Sequence, residues 1–259
     1  MSAKLLTTAR DLQRRKARER QQLFVCEGIR ATEELIRSPL AVQGVIAAPA
    51  FVAAPRGAAL RSEIEARGIP ILEVSEREFA SAATTESPQG ILAIAEIPVA
   101  SLDALALPPR ARVLVLDGVQ DPGNVGTMLR TAAALGASAT LAAPGTVDLW
   151  NAKVVRSAMG ALFHFPALPA TWDALDSLLA GRGIPLWGAD AAGQPIETIA
   201  PPTSVALVVG NEGAGLSAPA RARCERLVGI SLAPSIESLN VAVAAGILLH
   251  HLRESRIRT

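Results

Sequence analysis

Apolar and polar positions along the chain fall into two patterned regions with an unpatterned stretch between them. In the first, helical spacing with mostly basic residues between the apolar ones predicts a helix over 9–20. The apolar run LFVCEG (23–28) predicts a strand, and helical spacing returns over 29–37. A strand at VQGVIAA (42–48), a helix ending near Gly68, and strands at PILEVS (70–75) and GILAIAEI (90–97) complete the region. This alternation predicts a small α/β domain over 1–97. The segment 98–111, PVASLDALALPPRA, reads as a linker, because Pro108-Pro109 continues neither a helix nor a central strand. In the second region, 112–259, VLVLDG (113–118) has the continuous branched-apolar character of a strand buried on both faces. A Gly/Pro/Asn turn and a helix reaching Leu135 and Gly136 follow. Further strands are predicted at 139–142, 184–189, 205–209 and 227–232, with a last helix over 239–254. The fold class is α/β, with a parallel sheet covered by helices, and ligands in such sheets sit beyond the carboxyl ends of the strands.

Three glycine-containing segments fall near those ends. In LDGVQDPGNVGTMLRTAAALGA (116–137), Asp117, Gly118, Asp121, Pro122, Gly123 and Asn124 form a turn that opens a helix. An ordinary capped strand–helix connection accounts for it. Arg130, always cationic and close to a turn rich in backbone donors, equally suits a phosphate or a developing oxyanion. In LVVGNEGAGLS (207–217) a buried strand runs into Gly210, Gly213 and Gly215. The spacing G-x-x-G-x-G is not the dinucleotide fingerprint, and no Lys-Ser or Lys-Thr makes it a P-loop. Glu212 there would repel a phosphate and suits a cation or a sugar hydroxyl. In ISLAPSIESLNVAVAAGILLHHL (230–252), Ser238 or Asn240 either caps the last helix or helps to wall a ligand pocket.

Half of the residues are hydrophobic, but many are alanine, so a positive mean hydropathy does not indicate a membrane protein. The apolar run 241–249 is half a membrane span. Lys4, Arg10 and Arg14 precede no long apolar stretch, so no secretory signal is expected. Cys26 and Cys224 match no metal spacing, which points to a reducing, cytoplasmic compartment and no metal. Net charge is +1, yet residues 4–20 hold seven basic residues against two acids. Arg10, Arg14, Arg15, Lys16, Arg18 and Arg20 are therefore candidate phosphate contacts, the alternative being a solvated helix face. The chain has no tyrosine and 3% aromatics, which disfavours an RNA-binding module built on base stacking.

In order and spacing, DPGNVGTMLRTA, VVGNEGAGLS and SLNVAVAAGI closely resemble motifs one, two and three of the SpoU/TrmH family of knotted SPOUT methyltransferases, over about 113–253. KVVRSAMGALFHFP (153–166) is similar to the family's segment between motifs one and two. RRKARERQQLFVCEGIR and SPQGILAI resemble, more loosely, the ribosomal-protein-like substrate-binding domain often fused to these enzymes. The resemblance implies a trefoil-knot domain, S-adenosylmethionine as cofactor, and 2′-O-methylation of a ribose in RNA. Ribosomal RNA of the 23S type is favoured, with transfer RNA or a non-catalytic RNA-binding role as alternatives. It implies catalytic roles for Asn124, Arg130, Glu212, Ser238 and Asn240, and cofactor contacts at Leu207, Gly210, Asn211, Gly213, Ile230, Leu232 and Leu239. It also implies a homodimer through the C-terminal domain; the stripe Val241, Ala244, Ala245, Leu248 and Leu252 of the last helix either meets a partner or packs within its own domain. After the motif-three isoleucine the family often has Pro-Met-x-Gly; here Ser231, Leu232, Ala233 and Pro234 stand there, which puts the shape of that loop in question.

Overall fold

In chain order the described residues of this computed structural model, 2–53 and 55–253, form α1 (Ser2–Asp11), α2 (Arg15–Gln21), β1 (Leu23–Glu27), α3 (Ile29–Arg37), β2 (Val42–Ala47), α4 (Pro49–Ala53), α5 (Pro55–Ala66), β3 (Ile71–Glu73), α6 (Glu76–Ala80) and β4 (Ile91–Glu96). There follow β5 (Arg112–Leu116), α7 (Pro122–Ala134), β6 (Ala139–Ala142), α8 (Ala152–Ser157), β7 (Ala167–Pro169), α9 (Trp172–Ala180), β8 (Leu186–Pro195), β9 (Val205–Val209), α10 (Ala218–Arg223), β10 (Arg226–Gly229) and α11 (Val241–Leu252). The chain divides into two units. One comprises the residues up to Val99 together with Trp150–His164, and the other Ala100–Leu149 together with the residues from Phe165 on.

The first unit is a four-stranded sheet in the order β1-β4-β2-β3, antiparallel except for the β2–β3 pair. Leu6, Leu12, Val25, Ile46, Phe79, Leu92 and Ile94 form one core layer. On β1, Phe24 is fully buried, with its ring 4.6 Å from that of Trp150 and 5.9 Å from that of Phe163. Residues 150–164, although they lie between two glycine segments of the second region in sequence, thus belong to the first unit's packing. The long basic helix expected over 9–20 is broken at 12–14. Arg18, on α2, is 3% exposed and donates to the carbonyls of Leu12 (2.7 Å) and Gln13 (3.0 Å), just past the end of α1. This corrects the expectation for Arg18. Its guanidinium satisfies helix-terminal carbonyls and is not presented to a phosphate.

The second unit is a six-stranded, wholly parallel sheet in the order β10-β8-β9-β5-β6-β7. The central strands β5 (RVLVL) and β9 (VALVV) are buried at every position, as their unbroken apolar runs require. Arg112 is the polar exception. It is 8% exposed and donates from Nε to Leu252 O (2.6 Å) and from its Nη atoms to Thr203 O (2.7 Å) and Pro202 O (3.0 Å). A cation at the carbonyl end of α11 complements that helix's dipole. α11 begins at Val241 after an Asn240 cap, and Glu254, the expected helix end, lies outside the described residues. Its expected stripe faces its own unit: Ala245, Leu248 and Leu252 are buried. The outward apolar side chains are Val243 and Ile247, 51% and 41% exposed. Among the described residues no helix is long and apolar enough to cross a membrane.

Candidate active site

Neighbouring strand ends of the second unit converge on one cleft. β5 ends at Leu116, and the following Asp117 is buried, accepting the N–H (2.7 Å) and Oγ–H (3.0 Å) of Ser217. The turn after β5 is thereby tied to the glycine turn after β9. Asp121 caps α7 by accepting Asn124 N–H (2.8 Å), with Pro122 opening the helix where a missing N–H costs nothing. After β9, Asn211 folds its own turn: its Oδ1 accepts the N–H groups of Gly213 and Ala214 (both 3.0 Å), and its Nδ2 donates to Gly118 O (2.9 Å). Gly210 permits this reversal, because a Cβ there would lie 2.2 Å from the Gly215 carbonyl carbon.

A chain of side chains links the three segments. Asn240 Nδ2 donates to Asn124 Oδ1 (3.0 Å), and Asn124 Nδ2 donates to Glu212 Oε1 (3.0 Å). Glu212 also accepts the N–H groups of Asp121 (3.1 Å) and Gln120 (3.3 Å). Asn240 meanwhile accepts the N–H groups of Ala242 (2.9 Å) and Val243 (3.3 Å), so it caps α11 and joins the network at once. Partial burial opposes ionisation of Glu212, but its donors outweigh that and hold the carboxyl below the usual carboxylate range.

The cleft holds a cavity of about 160 Å³ that opens to solvent at its mouth. Its lining is mostly apolar (Val209, Val228, Val241, Ala244 and Leu248), and Gly210, Gly229, Ile230, Leu232 and Leu239 also contribute. Ser238 and Asn211 also line it. Among the described residues its charged liners are two acids, Asp190 and Glu212, and no basic residue lines it. Such a slot receives an apolar body bearing cationic or hydrogen-donating groups. Leu207 does not reach it, contrary to expectation: it is fully buried inside β9, two residues short of the strand end. Gly213 is likewise absent from the lining, its N–H turned to Asn211. Arg130 is exposed on α7 and outside the cleft, with no hydrogen-bond or ion-pair partner among the described residues. Pro234, the departure in the third segment, sits at the second position of a turn closed by Ile236 N–H to Ala233 O (2.9 Å), where its fixed φ is favourable.

One wall was not legible from the three segments. Ala189, Asp190 and Ala191 line the cleft from a bulge in β8. Gly188 and Gln194 pair with consecutive residues of β10, Leu227 and Val228, so residues 189–193 loop outward. Gly229 makes room for that loop, since a Cβ there would lie 2.8 Å from Asp190 O. The signal would have been the strand order, which puts β8 beside β9. Among the described residues no group of three or more His, Cys, Asp or Glu could hold a metal.

The candidate phosphate contacts in the first unit are partly engaged. Arg10 donates to Ser81 Oγ, Arg14 pairs with Asp11 (2.5 Å) and Arg15 with Glu19 (2.7 Å), all at exposed positions. Lys16 and Arg20 are exposed with no ion-pair partner among the described residues.

Comparison with known proteins meets this geometry directly. Residues 6–93 match the MRM3-like substrate binding domain. The chain is 37% identical over 243 residues to the 23S rRNA (guanosine(2553)-2′-O)-methyltransferase RlmP of Bacillus subtilis, covering 93% of each chain. It is also 37% identical to the 23S rRNA (guanosine-2′-O-)-methyltransferase RlmB of Ralstonia nicotianae, over 71% of this chain and 77% of that one. Among solved structures, the AdoMet-bound rRNA methyltransferase from Sinorhizobium meliloti superposes with a TM-score of 0.83 at 28% identity, covering 96% of this chain and 93% of that one. The SpoU methyltransferase AviRb from Streptomyces viridochromogenes, in complex with AdoMet, gives 0.83 at 26% identity, covering 96% of each. The model of the SpoU rRNA Methylase family spans residues 111–250, which hold the cleft and all three linked segments, and the chain belongs to that family.

Proposed function

We propose that the protein transfers a methyl group from S-adenosylmethionine to a ribose 2′-hydroxyl of ribosomal RNA, of the 23S type. The observation that carries this reading is the Asn240–Asn124–Glu212 chain, which ties the turn after β5 to the two segments, after β9 and β10, that line one acid-rimmed apolar cleft. The residues present fit the cofactor. An apolar floor suits its base, and an acidic wall suits its hydrogen-donating groups. When bound, the cofactor supplies an electrophilic sulfonium methyl. Everything else falls to the protein. Asn124 and Asn240 hold the turn and the helix start that face the acceptor, which supplies orientation. Ser238, exposed at the rim, has a hydroxyl to offer the incoming ribose. Arg130 acts on the reacting oxygen by charge. Arginine retains its proton, so it stabilises the developing alkoxide or anchors the adjacent phosphate and does not serve as base.

Arg130 lies outside its own chain's cleft, which supports its supply by a second copy. In this reading the protein works as a homodimer through its C-terminal unit, which the outward Val243 and Ile247 also support. The first unit delivers RNA, with Lys16 and Arg20 the best-placed cations of the basic stripe. A cytoplasmic setting is supported by two cysteines that are both free thiols. Mass-spectrometric mapping of ribose methylation after incubating the protein with cofactor and rRNA tests the activity, and Arg130→Ala tests the mechanism. The variant should lose about 10²–10³-fold in methyl transfer while binding S-adenosylhomocysteine normally. No ribose methyl on rRNA from the wild-type protein would overturn the function, and full activity of the variant would remove Arg130 from the chemistry.

A further inference from the structure

We propose that Asp190, which lies outside the three motif segments, reads the ribose of the adenosyl cofactor, its carboxylate accepting the vicinal hydroxyls. The inference rests on the reading of the cleft as the cofactor site and adds to it a residue that sets which cofactor is accepted.

Four observations converge on it. The β8 bulge at 189–193 has no role in the sheet, because β8 resumes pairing with β10 on the next residue of that strand. What the bulge does is bring Asp190 to the cleft wall. The Asp190 side chain is only 18% exposed and is held by two donors. One oxygen accepts Ala192 N–H (2.9 Å), and the other takes the Arg221 guanidinium. A carboxylate has about four acceptor positions, so both oxygens keep a free lone pair for a ligand. The Ala192 N–H and Arg221 also lower the group's pKa, so it stays an acceptor at neutral pH.

The other acid of the cleft is committed elsewhere, since the Glu212 oxygens are taken up by the turn after β5. Finally, β9 lies between β8 and β5. With strands about 4.8 Å apart, Asp190 stands about two strands from the Asn124 turn, where the acceptor ribose is oriented. It therefore faces a part of the cofactor that does not react. Of the donors on that part, a vicinal diol is the one that matches a carboxylate with two free lone pairs, the same pairing by which an acid selects a ribose hydroxyl in dinucleotide sites.

The test is calorimetric, on the full-length protein, with S-adenosylhomocysteine and its 2′-deoxy and 3′-deoxy analogues. The wild type should bind the parent ligand about ten- to a hundredfold more tightly than either analogue, the range for a hydrogen bond to a charged group. Asp190→Asn should weaken the parent ligand by that factor and leave the analogues almost unchanged, so that discrimination disappears. Arg221→Gln, which removes the brace but keeps the carboxylate, should preserve discrimination. Equal weakening of all three ligands by Asp190→Asn would mean that Asp190 only braces α10, and would overturn the proposal. So would a wild-type protein indifferent to the missing hydroxyl, a result that needs no variant to fold. A wild type that binds none of the three ligands would overturn the reading of the cleft itself, a distinct outcome.

Discussion

Glu212 stands in a turn whose glycines leave it free to point into the cleft, yet its oxygens face the turn after β5. The acid that looked suited to a ligand is first a clasp for Gln120, Asp121 and Asn124. Its folded-state pKa is depressed, so the clasp is complete above the ordinary carboxylate value of about 4.3 and is lost as pH falls through the lower, folded value. Affinity for S-adenosylhomocysteine should therefore stay level from pH 8 to about 5 and fall only in stronger acid. Glu212→Gln, with fewer acceptor positions for the same donors, should bind about tenfold more weakly at every pH in that range. An unchanged affinity by calorimetry would show that the clasp does not shape the cleft. Arg18 makes a complementary case. Arg18→Ala should cost about 2 kcal/mol in urea unfolding, because two helix-end carbonyls lose a charged donor. The salt dependence of RNA binding should not change, whereas loss of a true phosphate contact would lower its slope by about one. At this scale the sequence singled out Asn124, Glu212 and Asn240, which the structure links, because their types and spacing are unusual. It could not show Asp190, whose relevance depends on which strand lies beside which.

Elements were legible where local pattern and tertiary demand agree. α3, β6 and β9 fall where apolar spacing places them, since each buries its apolar residues in its own unit. The pattern failed where an element serves a distant partner. The basic helix breaks because Arg18 has a use inside the fold, and β8 outruns its apolar run because residues 189–193 serve the cleft and not the sheet. α11 shows both sides. Its small, apolar stripe looked fit for a partner, but Val241, Ala244 and Leu248 line the cleft. Gly246 lies against α7, where an added Cβ would meet Thr131 Cγ2 at 3.3 Å. The outward apolar pair is Val243 and Ile247, one turn apart, the face on which the proposed dimer would rest. Replacing both with Glu should convert a dimer to a monomer in light scattering at micromolar concentration and suppress methyl transfer, while leaving the helical circular-dichroism signal intact. A double variant that remains dimeric would move the interface off α11.

At the scale of the whole molecule, the division into units is not a division of the chain into two consecutive pieces. Trp150, Val154, Val155 and Phe163 are buried in the first unit, and each such side chain contributes about 1.5–3 kcal/mol on burial. Residues 1–99 and 100–259, produced together as separate chains, should therefore co-purify through the 150–164 segment. Phe24→Ala should weaken their association, read by a pull-down at increasing dilution. Independent elution of the two pieces would show that the segment contributes little. A proline-rich stretch is visible in a sequence as a boundary, but a later return of the chain across that boundary is not, because nothing local marks residues 150–164 as belonging to an earlier sheet. That return has a consequence for synthesis. Domains normally fold as they leave the ribosome, N-terminal first, at about 5–20 residues per second. Here the first sheet emerges with its Phe24 face uncovered and must wait for the 65 residues between Val99 and His164, roughly 3–13 s at that rate. The nascent chain thus carries an exposed aromatic surface throughout that interval, and its cover arrives only after the first strands of the other unit have been made.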